Sequence, residues 1–161
     1  MTQWREASAA AGFIAPETLV NTGNMVAGFA GTGIEAERAM AQVLRGFGLG
    51  ENVIPIGRSP ARLQGLLAAN PVAEAAATRP AETAIYFFAA LQPDFTWLAA
   101  YDGPERVHVV DDHLVIDFHQ PVAKSGRLIR LIDKHCGSST ARNWNSMRRL
   151  AERAVAREGA C

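Results

Sequence analysis

Two clusters of residues carry side chains suited to holding an anion. The first is "STARNWNSMRR", residues 139–149, where Arg142, Asn143 and Asn145 stand at the start of a predicted helix and Arg149 lies one turn on. The free backbone N–H groups and positive dipole end of such a helix favour a phosphate or carboxylate. The structural alternative is that Thr140 or Asn143 caps the helix while Trp144 anchors it on a sheet. The second cluster is "AKSGR", residues 123–127, with Lys124, Ser125 and Arg127 at a strand-to-helix transition. It lacks the preceding glycines of a phosphate-binding Walker loop. Ordinary capping with solvated charge competes with the anion reading here too.

A third cluster has the chemistry of a metal site. If Asp111 and Asp112 form a two-residue turn, Val110 opposes His113 and His108 opposes Val115. That register places Val107, Val109, Leu114, Ile116 and Phe118 on one face, and His108, His113, Asp117 and His119 on the other. Imidazoles and a carboxylate suit zinc, but strand positions two apart are poorly spaced to ligate together, so a polar outer sheet face is the expectation and no metal is assigned. "NTGN", residues 21–24, reads as a hairpin turn that could form a small anion nest. Cys136 beside His135 has no evident orienting partner and reads as a structural cysteine. The sequence holds no Gly-x-Ser-x-Gly, His-Glu-x-x-His, Cys-x-x-Cys or dinucleotide fingerprint, so no cofactor is expected.

The elements that must position these groups follow from periodicity and breakers. Residues 2–12 read as a helix stopped by Gly12. Strands at 18–20 and 25–29 flank the "NTGN" turn. A helix carries Ala36, Ala39, Met40, Val43, Leu44 and Phe47 on one face until Gly48 and Gly50, and "NVIPIG", 52–57, reads as a short strand. Ser59-Pro60 starts a helix that Asn70-Pro71 ends, and a short alanine-rich helix follows. The order then restarts: strand 83–90, short helix 95–100, strands 106–110 and 113–118, helix 124–135, an extended piece near Ser138 and a final helix. In that helix Trp144, Met147, Leu150, Ala151 and Ala154 form one stripe, with Arg149, Arg153 and Arg157 on the opposite, wet side.

The fold class expected is therefore α+β: two ferredoxin-like βαββαβ subdomains, the first missing its first strand, plus a C-terminal helix. The corresponding boundaries are 1–58, a helical connector over 59–82, and 83–161. In the ferredoxin-like order the first strand lies mid-sheet, so the first subdomain should leave an edge that a second chain could pair with.

The 161 residues are 48% hydrophobic, enough for such a core without staples. Two cysteines and the lack of a secretory signal point to a reducing cytosol. The longest apolar run, 84–91, is far short of the roughly 20 residues of a membrane helix, so no membrane partner is expected. Residues 1–120 hold 7 Lys and Arg against 13 Asp and Glu, while 121–161 hold 9 against 3. The C-terminal segment is thus the basic one, a surface for an anion, a nucleic acid or the acidic part of the same molecule.

"TLVNTGN", "AANP", "AKSGRL" and above all "TARNWNSMRRLAE" resemble the bacterial domain-of-unknown-function family 1697 over nearly the whole chain. The resemblance implies a duplicated ferredoxin-like architecture and no assigned activity. Members usually open with a strand and an Arg-Gly-Ile-Asn-Val-Gly-Gly loop that this sequence lacks, so the expectation is an N-terminally shortened member.

The leading functional expectation is a non-catalytic protein binding an anionic ligand or nucleic acid through Lys124, Ser125, Arg127, Arg142, Asn143, Asn145 and Arg149. One alternative is a small-molecule enzyme with its site between the subdomains, using Asn143, Lys124 and His113 or Cys136. Another is self-association through an exposed strand edge, giving a homodimer.

Overall fold

Two glycines with positive φ stop the N-terminal helices, because only a residue without Cβ enters that region at little cost. Gly12, at φ +104°, follows α1 (Thr2–Ala10), and Gly48, at φ +76°, follows α2 (Gly33–Gly46). Thr32 starts α2: its Oγ1 accepts from the Glu35 N–H at 3.1 Å. Between these helices β1 (Phe13–Leu19) pairs antiparallel with β2 (Asn24–Phe29). The computed structural model describes residues 2–19, 23–49 and 53–159. The tip of the expected "NTGN" turn lies outside the described residues, as does Gly50.

β1 begins five residues before the expected strand at 18–20. The register shifts between Ile14 and Glu17 and Ala15 sits at φ +46°, so a bulge accommodates Pro16 and pairing resumes. The expected strand "NVIPIG" is corrected: the described residues 53–57 form no regular element. Pro55 lacks a ladder donor, and among the described residues β1 and β2 make up their sheet alone.

The second sheet is built from β3 (Thr83–Phe88), β4 (Arg106–Val110), β5 (His113–Asp117) and β6 (Ser139–Arg142), in the order β4-β5-β3-β6, with every pairing antiparallel. Val110 opposes His113 and His108 opposes Val115, the register that a turn at Asp111-Asp112 dictates. Asp111 takes φ +52°, a conformation Asp tolerates in tight turns. Helices α3 (Pro60–Ala69) and α4 (Ala73–Thr78) precede this sheet, α5 (Gly126–Cys136) lies between β5 and β6, and α6 (Trp144–Gly159) closes the chain. The expected helix at 95–100 is a 3-10 segment, Thr96–Ala100. The architecture is α+β, with one two-stranded and one four-stranded sheet and a C-terminal helix.

The chain divides into two compact units, residues 1–63 with 149–161 and residues 64–148. In the second, Ala84, Tyr86, Phe88, Leu114, Ile116 and Phe118 on the sheet meet Leu128, Ile132 and Cys136 of α5. The opposite face of β3 and β5 is buried too, which corrects the expected polar outer face: His113 is fully buried and Asp117 is 5% exposed. The His113 ring packs edge-on to Phe87 at 5.2 Å. Asp117 is covered by Arg79, whose guanidinium donates to both carboxylate oxygens at 3.1 Å. In the first unit Met40, Val43 and Leu44 form the buried cluster with Trp4, Ala7, Phe13 and Met25 against it.

Candidate functional site

Helix α6 begins where the sequence singles out Arg142, Asn143 and Asn145. Asn143 is its cap: Oδ1 accepts from the Ser146 N–H at 2.9 Å, and its carbonyl accepts from Met147 at 3.1 Å. The Trp144 N–H donates to Thr83 Oγ1 at 3.2 Å, joining the helix start to β3. Two of the free backbone donors of the helix start, those of Trp144 and Ser146, are thereby satisfied inside the protein, which removes part of what an anion would use there. Arg142 is half-buried and donates to Thr140 Oγ1 and the Ala141 carbonyl; burial lowers its pKa.

Asn145 and Arg148 differ from these. Both are exposed, and neither side chain makes a hydrogen bond or ion pair with a described residue. They line a cavity of about 220 Å³ together with Trp144, Asn70, Ala73, Ala76 and Ala77. Local sequence explains the walls. Asn70 ends α3 at φ +28° ahead of Pro71, a strained position that Asn accepts better than most residues. The alanines of α4 leave room beside the buried Trp144 indole. Asn70 Oδ1 is sealed from solvent and finds no donor among the described residues. Of the sequence-predicted contacts, this cavity takes Asn145 alone; Asn70 and Arg148, which also line it, were not singled out as site residues, although "AANP" stood out as a motif.

Lys124, Ser125 and Arg127 sit at the start of α5, in a mixed-charge neighbourhood. Ser125 is 1% exposed, and its Oγ accepts from Gln120 Nε2 at 2.9 Å while also bonding Glu105. Glu105, itself buried, accepts from Tyr101 OH at 2.5 Å. Burial pushes the Glu105 carboxyl up, but the bonds from Tyr101 and Ser125 outweigh it and hold it below the usual range. Burial, then Glu105, pushes the Tyr101 hydroxyl up to about 12. A Cβ on Gly103 would fall 2.0 Å from the Tyr101 hydroxyl, so this approach requires glycine. Arg127 pairs with Asp102 at 3.0 Å and lies over the Tyr101 ring, 5.2 Å from its centroid. Lys124 is exposed.

Of the expected wet face of α6, Arg149 and Arg153 are exposed and Arg157 is partly buried. Arg153 donates to both carboxylate oxygens of Glu17, at 2.8 and 3.0 Å, and Arg157 reaches Glu17 at 2.7 Å as well as the Ile14 and Ala15 carbonyls. Bonds from Arg153, then Arg157, lower the Glu17 pKa to about 2. Arg149 is exposed and lies in the first unit. Among the described residues no three His, Cys, Asp or Glu side chains converge as metal ligands. His119 Nε2 is 3.3 Å from Asp117, whereas His113 is fully buried with Nδ1 3.2 Å from the Val110 carbonyl oxygen. Cys136 is buried, its Sγ donating to the Asp94 carbonyl at 3.3 Å, and burial raises its pKa.

Residues 1–114 match the model of a family described as a protein of unknown function, DUF1697. The chain belongs to this family. The match stops short of "AKSGRL" and "TARNWNSMRRLAE", so the resemblance read over nearly the whole chain is carried by residues 1–114. No curated protein and no solved structure matches the chain. Among the described residues of this DUF1697 member, no helix is long and apolar enough to cross a membrane.

Proposed function

We propose that this DUF1697 protein is a non-catalytic binding protein that takes a small anionic ligand at the start of α6, with Asn145 and Arg148 as its first contacts. The observation that carries the reading is the cavity beside Trp144, where these two side chains are exposed and have no partner among the described residues, while Arg127, Arg153 and Arg157 are each tied to a carboxylate. Lys124, Arg127, Arg142 and Arg149 belong to the reading as charges that draw an anion toward segment 121–161, with its 9 basic against 3 acidic residues. The pairing of Arg127, Arg153 and Arg157 with carboxylates favours a small anion over a nucleic acid, which needs a run of free cations along its phosphates. The protonated, enclosed Cys136 supports binding rather than nucleophilic chemistry.

Titration calorimetry of the full chain with acetate and inorganic phosphate at low salt tests this. One-site binding should weaken about tenfold in Arg148→Gln, the loss of one charge-assisted contact. No saturable binding, or binding that Arg148→Gln leaves unchanged, overturns the reading. Steeply salt-dependent binding to a single-stranded oligonucleotide instead would assign the basic segment to nucleic acid.

The four-stranded sheet supports a ferredoxin-like βαββαβ plan for 83–161, because its first strand, β3, lies between the third and fourth. We read 1–58 as an incomplete copy: α1, hairpin and α2 come in the same order, without a described counterpart of β3. The segment 59–82 connects them. This favours a second reading, a homodimer formed where β2 pairs with β1 alone among the described residues. Light scattering showing monomer up to high concentration would remove it.

A further inference from the structure

Resting on the small-anion reading, we infer that the ligand of the Asn70–Trp144–Arg148 cavity is a small carboxylate carrying a hydrogen-bond donor next to the carboxyl group, a 2-hydroxy or 2-amino acid. The cavity offers two kinds of polar group. Arg148 and Asn145 present donors with no partner among the described residues, and a guanidinium beside an amide suits a carboxylate. Asn70, also on the lining, carries the opposite: a side-chain carbonyl oxygen that is sealed from solvent as it stands and has no donor among the described residues.

That unbonded acceptor is the discriminating feature. Buried polar atoms are nearly always paired, and one that is not favours any ligand that brings it a donor. The terminal amide torsion of Asn is broad, and Asn70 Oδ1 gives up no hydrogen bond when the amide turns toward the cavity. A ligand with its carboxylate on Arg148 and Asn145 and a hydroxyl or amino group on Asn70 satisfies both kinds of group. A plain alkanoate satisfies only the first. The volume of about 220 Å³ lies below the roughly 300–1,000 Å³ of pockets for drug-sized molecules, which selects a ligand of few atoms. The apolar floor of Ala73, Ala76 and the Trp144 ring suits a short hydrocarbon stem.

The test is calorimetry on the full chain with lactate, alanine, propionate and inorganic phosphate as probes. Lactate or alanine should bind roughly three- to tenfold more tightly than propionate, the worth of one added hydrogen bond. The lactate and alanine arms separate a hydroxyl from an ammonium donor. Asn70→Gly keeps a residue that accepts positive φ and should bring the affinities for lactate and alanine down to that for propionate. Asn70→Asp provides a near-isosteric second variant and should weaken all carboxylates by charge repulsion. Equal binding of lactate, alanine and propionate, with Arg148→Gln weakening all of them, overturns this inference and leaves the small-anion reading standing. Preference for phosphate over every carboxylate also overturns it. Absence of binding by all four probes overturns both.

Discussion

β5 and β2 are each the second arm of a hairpin beside a helix, yet every residue of β5 is buried and only Asn24 of β2 is. The difference lies in their neighbours. β5 runs between β4 and β3, with α5 against one face and Arg79 reaching Asp117 on the other; β2 pairs with β1 alone among the described residues. Large apolar side chains follow the same division. Ile14, Ile34, Phe47, Leu49, Val53 and Ile54 are exposed within 1–63, against Leu91 and Val109 within 64–148. A central strand gives a sheet the means to bury side chains on both faces, and without one a hairpin keeps only a thin core. The first unit adds polar clamps instead: Arg153 and Arg157 hold Glu17 and cover the carbonyls exposed by the β1 bulge.

Core truncation tests this contrast most strongly. Phe88→Ala should cost about 3–5 kcal/mol, since its ring is enclosed by the sheet, α5 and Phe95. Met40→Ala should cost about 2 kcal/mol, the lower end for such a change, because the surroundings of a small cluster collapse more easily. Equal losses in urea midpoints at unchanged slope would break the comparison. Hydrogen exchange sharpens it: amides of β3 and β5 should be protected by roughly tenfold or more over those of β2. Uniform protection would show that the hairpin opens only with the rest of the chain.

The smallest effect concerns the clamp. The Glu17 pKa falls from 4.5 to about 2 in the folded protein, so its contribution is complete above the unfolded value and disappears as pH falls through the folded one. Glu17→Gln should therefore lower stability near pH 6 and approach wild type near pH 2. The difference should be within about 1 kcal/mol, because these side chains are partly exposed and screened. Urea melts at both pH values measure it. A gap that persists at pH 2 would mean that Glu17 acts through packing.

Local rules carried the α+β class and most helix limits. Gly12, Gly48 and Ser59-Pro60 act within a turn of the chain, so their effects are visible in order of residues. The early start of β1 was missed because a bulge depends on the partner strand, and "NVIPIG" misled because apolar composition makes a strand only when another strand lies beside it. The polar side of the 106–119 hairpin was placed in the right register but on a surface that turned out to be covered. Alternation reveals which side chains share a face, and burial depends on what packs there.

The sequence by itself determined the hairpin register that follows from a turn at Asp111-Asp112, the basic character of 121–161 and Thr140 or Asn143 as the cap of α6, all consequences of neighbouring residues. Tertiary structure decided which charges remain available. Arg153 meets Glu17 across 136 positions, Arg127 meets Asp102, and Arg148 is left exposed beside Asn70. Electrostatic pairing and cavity walls depend on distance in space, which helical spacing constrains only within one helix.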